Sequence, residues 1–400
     1  MARKSRLPKG GENLFQEIKK VCTRAETNDI KLYKLSIGQP TGPALLSARQ
    51  GAAEAIMSDE ESMHEYQDNG EPGVPGFSKA FVQANVGSFD LSYVEDIDYL
   101  PTPGIKPMLG LIPMACGEIN NQHVQIMVQT MTDPGYPTPS IWCNYFSLPN
   151  KPIYFAPYNY FMFDPRKQAY GKNSLFMLNF PHNPSGEIAT KGWWKYLCAF
   201  CEKRNIRVFN DAAYAMLAHS SIACTLTEVA VGFPNLSWAE AFSASKVISN
   251  GTGWRIGAMA GSPDFIGDIA TIKGNTDSGF NAALASGVLR AIKDDMENIQ
   301  FIRQRYEIRI RALINILTQR GMQLAVEPKA GFFTLWKCPK KAFGEDVRDA
   351  KHFNFMMIER TGVVGVHFNP YIRYAVVAPI EQVKFTDAIK KAFDKAKAEY

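Results

Sequence analysis

Four hundred residues with 46% hydrophobic and 21% charged side chains describe an ordinary globular chain, and at about 150 residues per domain the length suggests two or three domains around a large buried core. Lys and Arg number 44 against 39 Asp and Glu, a surplus of +5 with no basic stripe after the first ten residues, which argues against a nucleic-acid partner. No apolar run approaches the roughly 18 residues of a membrane span, and seven cysteines scattered from Cys22 to Cys338 form no disulfide framework, so a reduced, cytoplasmic enzyme is expected.

The opening MARKSRLPKG is basic but lacks the apolar stretch of a secretory signal; its charge leaves a short mitochondrial presequence open, although Glu12 and Glu17 follow quickly. Short apolar runs then alternate with segments of helical period, the pattern of an α/β fold with a parallel sheet. Residues 124–129 read as a strand and 133–137 as a turn. Strands over 151–155 and 174–179 follow, the second running into Pro181-His-Asn-Pro-Ser-Gly186. A helix over 191–203 precedes a strand at 206–209 that ends in Asn210-Asp211. The strand at 238–242 ends in Ser243-Ala-Ser-Lys246, and 255–260 form the next, closed by Gly261-Ser-Pro263. From 281 to 320 the period stays helical with no Gly or Pro after Gly287, which predicts one long helix joining two domains. Strands at 331–336 and 371–375 and a terminal helix rich in Lys and Ala complete the chain. The expected division is a large α/β domain over 45–288 and a small α+β domain built from 1–44 and 289–400.

In open α/β sheets, ligands bind beyond the carboxyl ends of the strands. The polar residues at those ends are Tyr136, Asn183, Asp211 and Lys246. Lys246 sits among the small residues Ser243, Ala244 and Ser245, where a desolvated amine loses proton affinity and becomes a nucleophile able to form a Schiff base. Taken singly, each residue has a plainer role: a solvated lysine, a helix cap for Asp211, a turn residue for Asn183. Their order and spacing together carry the information.

That set is similar to the aspartate aminotransferase family of pyridoxal-phosphate enzymes, fold type I, in collinear order from Leu35-Ser-Ile-Gly38 to Tyr371-Ile-Arg373. The most specific stretches are Asn179-Phe-Pro-His-Asn183-Pro-Ser-Gly186, Asn210-Asp-Ala-Ala-Tyr214, and Ser243-Ala-Ser-Lys246 with Gly253-Trp-Arg255-Ile-Gly257. The resemblance implies a mostly parallel seven-stranded sheet between helices beside the smaller α+β domain, with pyridoxal 5'-phosphate as cofactor. It implies that Lys246 carries the cofactor as a Schiff base and, once freed, shuttles the proton between substrate Cα and cofactor C4′. Asp211 would pair with the pyridinium nitrogen, Asn183 and Tyr214 would hydrogen-bond the phenolic oxygen, and Tyr136 would stack on the ring. Gly104, Ile105 and Lys106, opening a helical stretch, would cup the phosphate together with Ser243 and Arg255. Arg373 would grip the substrate α-carboxylate in a fork, with Gly38 and Asn183 completing the substrate contacts. Tyr66, within His64-Glu-Tyr-Gln-Asp-Asn-Gly70, resembles the tyrosine that reaches the phosphate of the neighbouring subunit, which implies a homodimer with shared sites; a loop tyrosine is the alternative.

Two stretches depart from the family pattern. One residue more than usual separates Lys246 from Arg255, and the glycine-rich loop that generally precedes the carboxylate-binding arginine is largely missing from 362–373. The Gly104-Ile-Lys106 segment is closer to the Gly-Ala-Lys of LL-diaminopimelate aminotransferases than to the Ser-Gly-Thr of aspartate enzymes. That similarity implies ping-pong transamination of a dicarboxylic or diamino substrate with 2-oxoglutarate or glutamate as partner. Aspartate, alanine and aromatic aminotransferases stay open, as does a lyase or synthase using the same cofactor; a non-enzymatic protein retaining the fold is disfavoured by the joint presence of Lys246, Asp211, Asn183 and Tyr214. The Cys198–Cys201 spacing has no second cysteine pair, and on a helix the two share a face, so buried thiols rather than a metal site are expected. The six histidines show no metal-ligand spacing, and the glycines of 251–257 miss the dinucleotide fingerprint by one residue.

Overall fold

The computed structural model of the protein describes residues 14–116, 127–168, 170 and 174–400. Seven strands form the larger sheet: β1 (Asp98–Thr102), β2 (Val128–Asp133), β3 (Asn150–Tyr154), β4 (Leu175–Leu178), β5 (Arg207–Asp211), β6 (Trp238–Ser243) and β7 (Gly257–Gly261). Their order is β1-β7-β6-β5-β4-β2-β3, with β7 antiparallel to both its neighbours and every other pair parallel. Every position of β4, β6 and β7 is buried. Both faces of the sheet are covered, so these strands read as continuous rather than alternating apolar runs. Alternate side chains still divide between two cores: Phe176, Val208, Phe242 and Ala258 enter one, and Leu175, Met177, Phe209 and Met259 the other. Burying one such phenylalanine stabilises the fold by about 1.5–3 kcal/mol.

A second sheet is wholly antiparallel. Its strands are β8 (Leu324–Val326), β9 (Phe333–Lys337), β10 (Val366–Phe368) and β11 (Tyr371–Ala375), in the order β10-β11-β9-β8. It packs on its own core, which includes Tyr306, Trp336, Phe353 and Tyr374.

The helices that matter below are α1 (Ile105–Leu111), α2 (Ala282–Asp294), α3 (Met296–Thr318), α4 (Ala350–Thr361) and α5 (Val383–Ala396). The single helix expected over 281–320 is thus two. The chain breaks at Asp295, with φ −138° and ψ 29°. Asp294 and Asp295 place two carboxylates at the negative end of α2, which opposes its continuation, and the Asp295 side chain is taken instead by Asn298 Nδ2 at 2.5 Å and by the Ser47 hydroxyl. The strand expected over 124–129 is β2, which starts at Val128; residues 124–126 lie outside the described residues. Gln129 and Thr130 disguise it in the sequence, being polar, yet they are 1% and 0% exposed.

Candidate active site

The antiparallel course of β7 gathers one end of the site. Gly257, its first residue, pairs with Thr102 of β1 on one side and Ser243 of β6 on the other. Arg255, two residues before β7, therefore emerges at the same edge as the carboxyl ends of β1 and β6. Gly104 (φ +78°) turns the chain into α1 there, and a Cβ on it would lie 2.4 Å from Arg255 Nη2, so only glycine lets the guanidinium approach that backbone. The added residue between Lys246 and Arg255 is taken up in a compact turn. Ser249 and Arg255 adopt φ of 65° and 57°, Thr252–Trp254 form a 3-10 turn, and Arg255 Nη1 donates to Thr252 O at 2.8 Å.

A cavity of about 930 Å³ opens at this edge. Gly38, Ile105, Lys106, Tyr136, Asn183, Asp211, Tyr214, Ser243, Lys246, Arg255 and Arg373 all line it, and Gly104 borders it through Arg255. Tyr66 is the exception. It is 79% exposed on the loop after Glu61–Met63 and does not reach this chain's own cavity.

Lys246 lies on a one-turn helix, Ala244–Val247, started by Ser243, whose Oγ accepts from Ser245 N at 3.2 Å. Its Nζ is 6.0 Å from the centroid of the Tyr214 ring. Burial lowers its proton affinity to about 8; the Asp211 carboxylate opposes that fall and the Arg255 guanidinium adds to it. Asp211 closes β5, and burial raises its carboxyl to about 6, against the pull of the Ala213 N–H and of Lys246. Burial also raises the Tyr214 hydroxyl, whose ring packs edge-on against Phe332 and Phe333.

A run of hydrogen bonds ties these strand ends to the second sheet. Asn179 Nδ2 donates to Asp211 O at 2.8 Å, and its Oδ1 accepts from Asn183 N at 3.0 Å. Asn183 Oδ1 accepts from Arg373 Nη1 at 2.8 Å, and Arg373 Nη2 donates to Ser36 O at 3.0 Å. Arg373 on β11 is 1% exposed, its guanidinium lies 4.2 Å from the centroid of the Phe333 ring, and its Nε has no hydrogen-bond partner among the described residues. Burial lowers even this guanidinium, to about 10. Just before it, over the stretch where the family's glycine-rich loop is expected to be largely missing, β10 and β11 are joined by Asn369 and Pro370 alone, with Phe368 opposite Tyr371. Tyr371 packs against Phe161.

Asn179 belongs to a stretch the sequence singles out, yet its role as the link between Asp211 and Asn183 shows only in three dimensions. Phe15, Gln39 and Trp142 also line the cavity, and no motif marks them. His182 turns away, stacked on Phe155 with Nδ1 2.6 Å from Ser185 Oγ. Cys198 and Cys201 are buried thiols on one helix face, and burial pushes both upward, Cys198 to about 12.

Pyridoxal phosphate fits this donor set. The glycine at 104, with no room for a Cβ beside Arg255, makes a cradle whose neighbours, Lys106 and Ser243, suit a dianionic phosphate. A buried carboxylate, an amine of lowered proton affinity and an arginine whose Nε has no partner among the described residues line the same cavity. The model for aminotransferase class I and II matches residues 30–373. The chain belongs to that family. It is a pyridoxal-phosphate-dependent transferase of nitrogenous groups. Over 406 residues it is 26% identical to the LL-diaminopimelate aminotransferase of Methanocaldococcus jannaschii, covering 95% of this chain and 91% of that protein. It is 25% identical over 398 residues to the enzyme of the same name from Natranaerobius thermophilus, covering 93% and 94%. In fold it is similar to the aspartate aminotransferase from Rhizobium meliloti, with a TM-score of 0.83 at 19% identity over 99% of this chain and 100% of that one. No helix among the described residues of this aminotransferase is long and apolar enough to cross a membrane.

Proposed function

We propose that this aminotransferase exchanges an amino group between LL-diaminopimelate, or a closely related dicarboxylic or diamino acid, and 2-oxoglutarate, with Lys246 as the catalytic amine. The observation that carries the reading is the arrangement of Lys246 and Asp211 in one cavity with Arg373, whose buried Nε awaits an acceptor. Pyridoxal phosphate, when bound, supplies an electron sink that makes the substrate Cα–H acidic. Lys246, an amine of lowered proton affinity, would take the proton from the substrate Cα and give it back in the second half of the exchange. Asp211 holds the proton of the ring nitrogen. Asn183, its Oδ1 taken by Arg373, keeps its Nδ2 hydrogens for the phenolic oxygen, which the Tyr214 hydroxyl also meets. Tyr136 would cover the ring of the bound cofactor, and Gly104, Ile105, Lys106, Ser243 and Arg255 would hold its phosphate. Arg373 and the Gly38 backbone hold the substrate carboxylate.

Tyr66, exposed here, serves the phosphate site of a second copy in a homodimer. The enzyme works in the cytoplasm, with a large domain over 45–288 and a small one from both chain ends. The substrate named for the relatives supports the diaminopimelate reading. Aromatic donors form a second reading, favoured by Phe15, Ile37 and Trp142 on the cavity wall and by Asp211 as the single carboxylate lining it among the described residues. The visible spectrum of protein reconstituted with pyridoxal phosphate tests both. LL-diaminopimelate is expected to bleach the lysine-bound cofactor band and 2-oxoglutarate to restore it. Bleaching by phenylalanine but not by LL-diaminopimelate establishes the second reading. No band, or an unchanged band in Lys246→Ala, overturns the catalytic assignment.

A further inference from the structure

A second concavity, about 560 Å³ in volume, lies on the outer side of the smaller sheet's core. Five cations line it, Lys31, Arg360, Lys384, Lys391 and Lys395, against one carboxylate, Asp387. The whole 400-residue chain carries a net charge of only +5, so this cleft concentrates most of the surplus. The α5 residues 384, 387, 391 and 395 recur at helical spacing and share one face, with the small Ala388 and Ala392 leaving the floor open between them. On the opposite wall, Tyr33 packs edge-on against Phe385, and Lys31 Nζ lies 5.8 Å from its ring centroid.

Some of these charges are committed. Arg360 donates twice to Glu345, at 2.9 and 2.8 Å, and Lys395 donates to Arg360 O at 3.0 Å. Asp387 lies 3.7 Å from Lys390, outside the cleft. Lys384 and Lys391 form no hydrogen bond or ion pair with any described residue, and Lys31 has only the ring. These like charges, exposed along the walls of one cleft, sum to a positive potential that a bound anion relieves.

We propose that this cleft binds a small, multiply charged anion of the di- or triphosphate class, held by Lys31, Lys384 and Lys391. Ammonium groups suit phosphate oxygens as point charges. The cleft's volume lies within the roughly 300–1,000 Å³ of small-molecule sites, and its concave form suits a compact ligand better than a membrane or a nucleic-acid strand. Inorganic polyphosphate and a nucleoside triphosphate share this chemistry.

The test is calorimetric titration of the holoenzyme, whose cofactor fills the other phosphate site, with inorganic triphosphate, ATP and sulfate at physiological ionic strength. The expected result is one saturable triphosphate site per chain, at least tenfold tighter than sulfate and at least tenfold weaker in a Lys384→Glu/Lys391→Glu variant of unchanged circular dichroism and transaminase activity. ATP binding at least as tightly as triphosphate makes the ligand a nucleotide, and weaker ATP binding makes it an inorganic polyanion. Should the double variant fail to fold, Lys391→Gln alone is expected to weaken triphosphate measurably. Absence of saturable binding, or binding that survives these substitutions, overturns the proposal.

Discussion

The proton affinity of Lys246 can be measured without the cofactor, and its neighbours fix the sign of every change. An exposed lysine with an ordinary value of 10.5 is about 0.03% neutral at pH 7, whereas one lowered to about 8 is about 10% neutral, an advantage of about 300-fold. Acetic anhydride reacts only with the neutral amine, so competitive labelling of the apoprotein, read at the Lys246 peptide by mass spectrometry, is expected to titrate with a midpoint near 8. The Asp211 carboxylate stabilises the ammonium, so Asp211→Asn moves the midpoint further down; Arg255 repels it, so Arg255→Gln moves the midpoint up. Burial is the dominant cause, so neither substitution returns Lys246 to the surface value. A midpoint above 10 in the parent protein, or an upward move in Asp211→Asn, would refute the reasoning.

The same lowered affinity has a stability signature. The unfolded chain holds the Lys246 proton up to about pH 10.5 and the folded chain only to about 8, so folding gains up to about 3 kcal/mol as pH rises through that window and loses it as pH falls. In urea unfolding of the apoprotein, the advantage of Lys246→Met over the parent is therefore expected to shrink from pH 8 to 10.5; a constant difference contradicts the burial argument. Arg373→Lys removes one arm of the fork to Asn183 and Ser36, and kcat/KM for the amino donor is expected to fall about 10–100-fold, the equivalent of one charged hydrogen bond. Gly104→Ala sets a methyl 2.4 Å from Arg255 Nη2 at a φ of +78°, so pyridoxal-phosphate affinity, measured by dialysis and absorbance, is expected to drop at least about tenfold. Arg309 is 8% exposed and bonds the Val377 carbonyl and the largely exposed Glu381; Arg309→Met is expected to cost about 1–2 kcal/mol in chemical denaturation, mainly from the carbonyl left without its donor, and a loss below about 0.5 kcal/mol would show these bonds to be incidental.

The strand-end residues were legible in the sequence because each follows a buried apolar run: Phe209 precedes Asn210 and Asp211, and Phe242 precedes the Ser243–Lys246 turn. Arg255 was legible as a motif, but its position was not, since it depends on β7 running against its neighbours, and no local pattern states strand direction. The helix over 281–320 was misjudged for the opposite reason. Its apolar period continues through the break, and only the side-chain partners of Asp295, Ser47 and Asn298, one of them far away in sequence, show why the chain turns there. Phe15, Gln39 and Trp142 meet in the cavity from three separate segments without special backbone or spacing, so nothing local marks them.

The position of Arg373 shows what the two sheets accomplish together. The larger sheet can set Asp211, Ser243 and Lys246 by strand register alone, because β5, β6 and β7 are neighbours. It does not supply the Arg373 guanidinium, which the second sheet brings to the same cavity from β11. A buried guanidinium with no carboxylate partner is costly, since two neutral oxygens and an aromatic face replace only part of its hydration. The fold holds Arg373 at 1% exposure nonetheless, with Nε unsatisfied. A residue kept in that state is stabilised when an anion arrives, so on the proposed function the energy lost in the free protein would return as substrate affinity. The bond from Arg373 to Asn183, and from there through Asn179 to Asp211, connects that guanidinium to the strand ends beside the amine of Lys246.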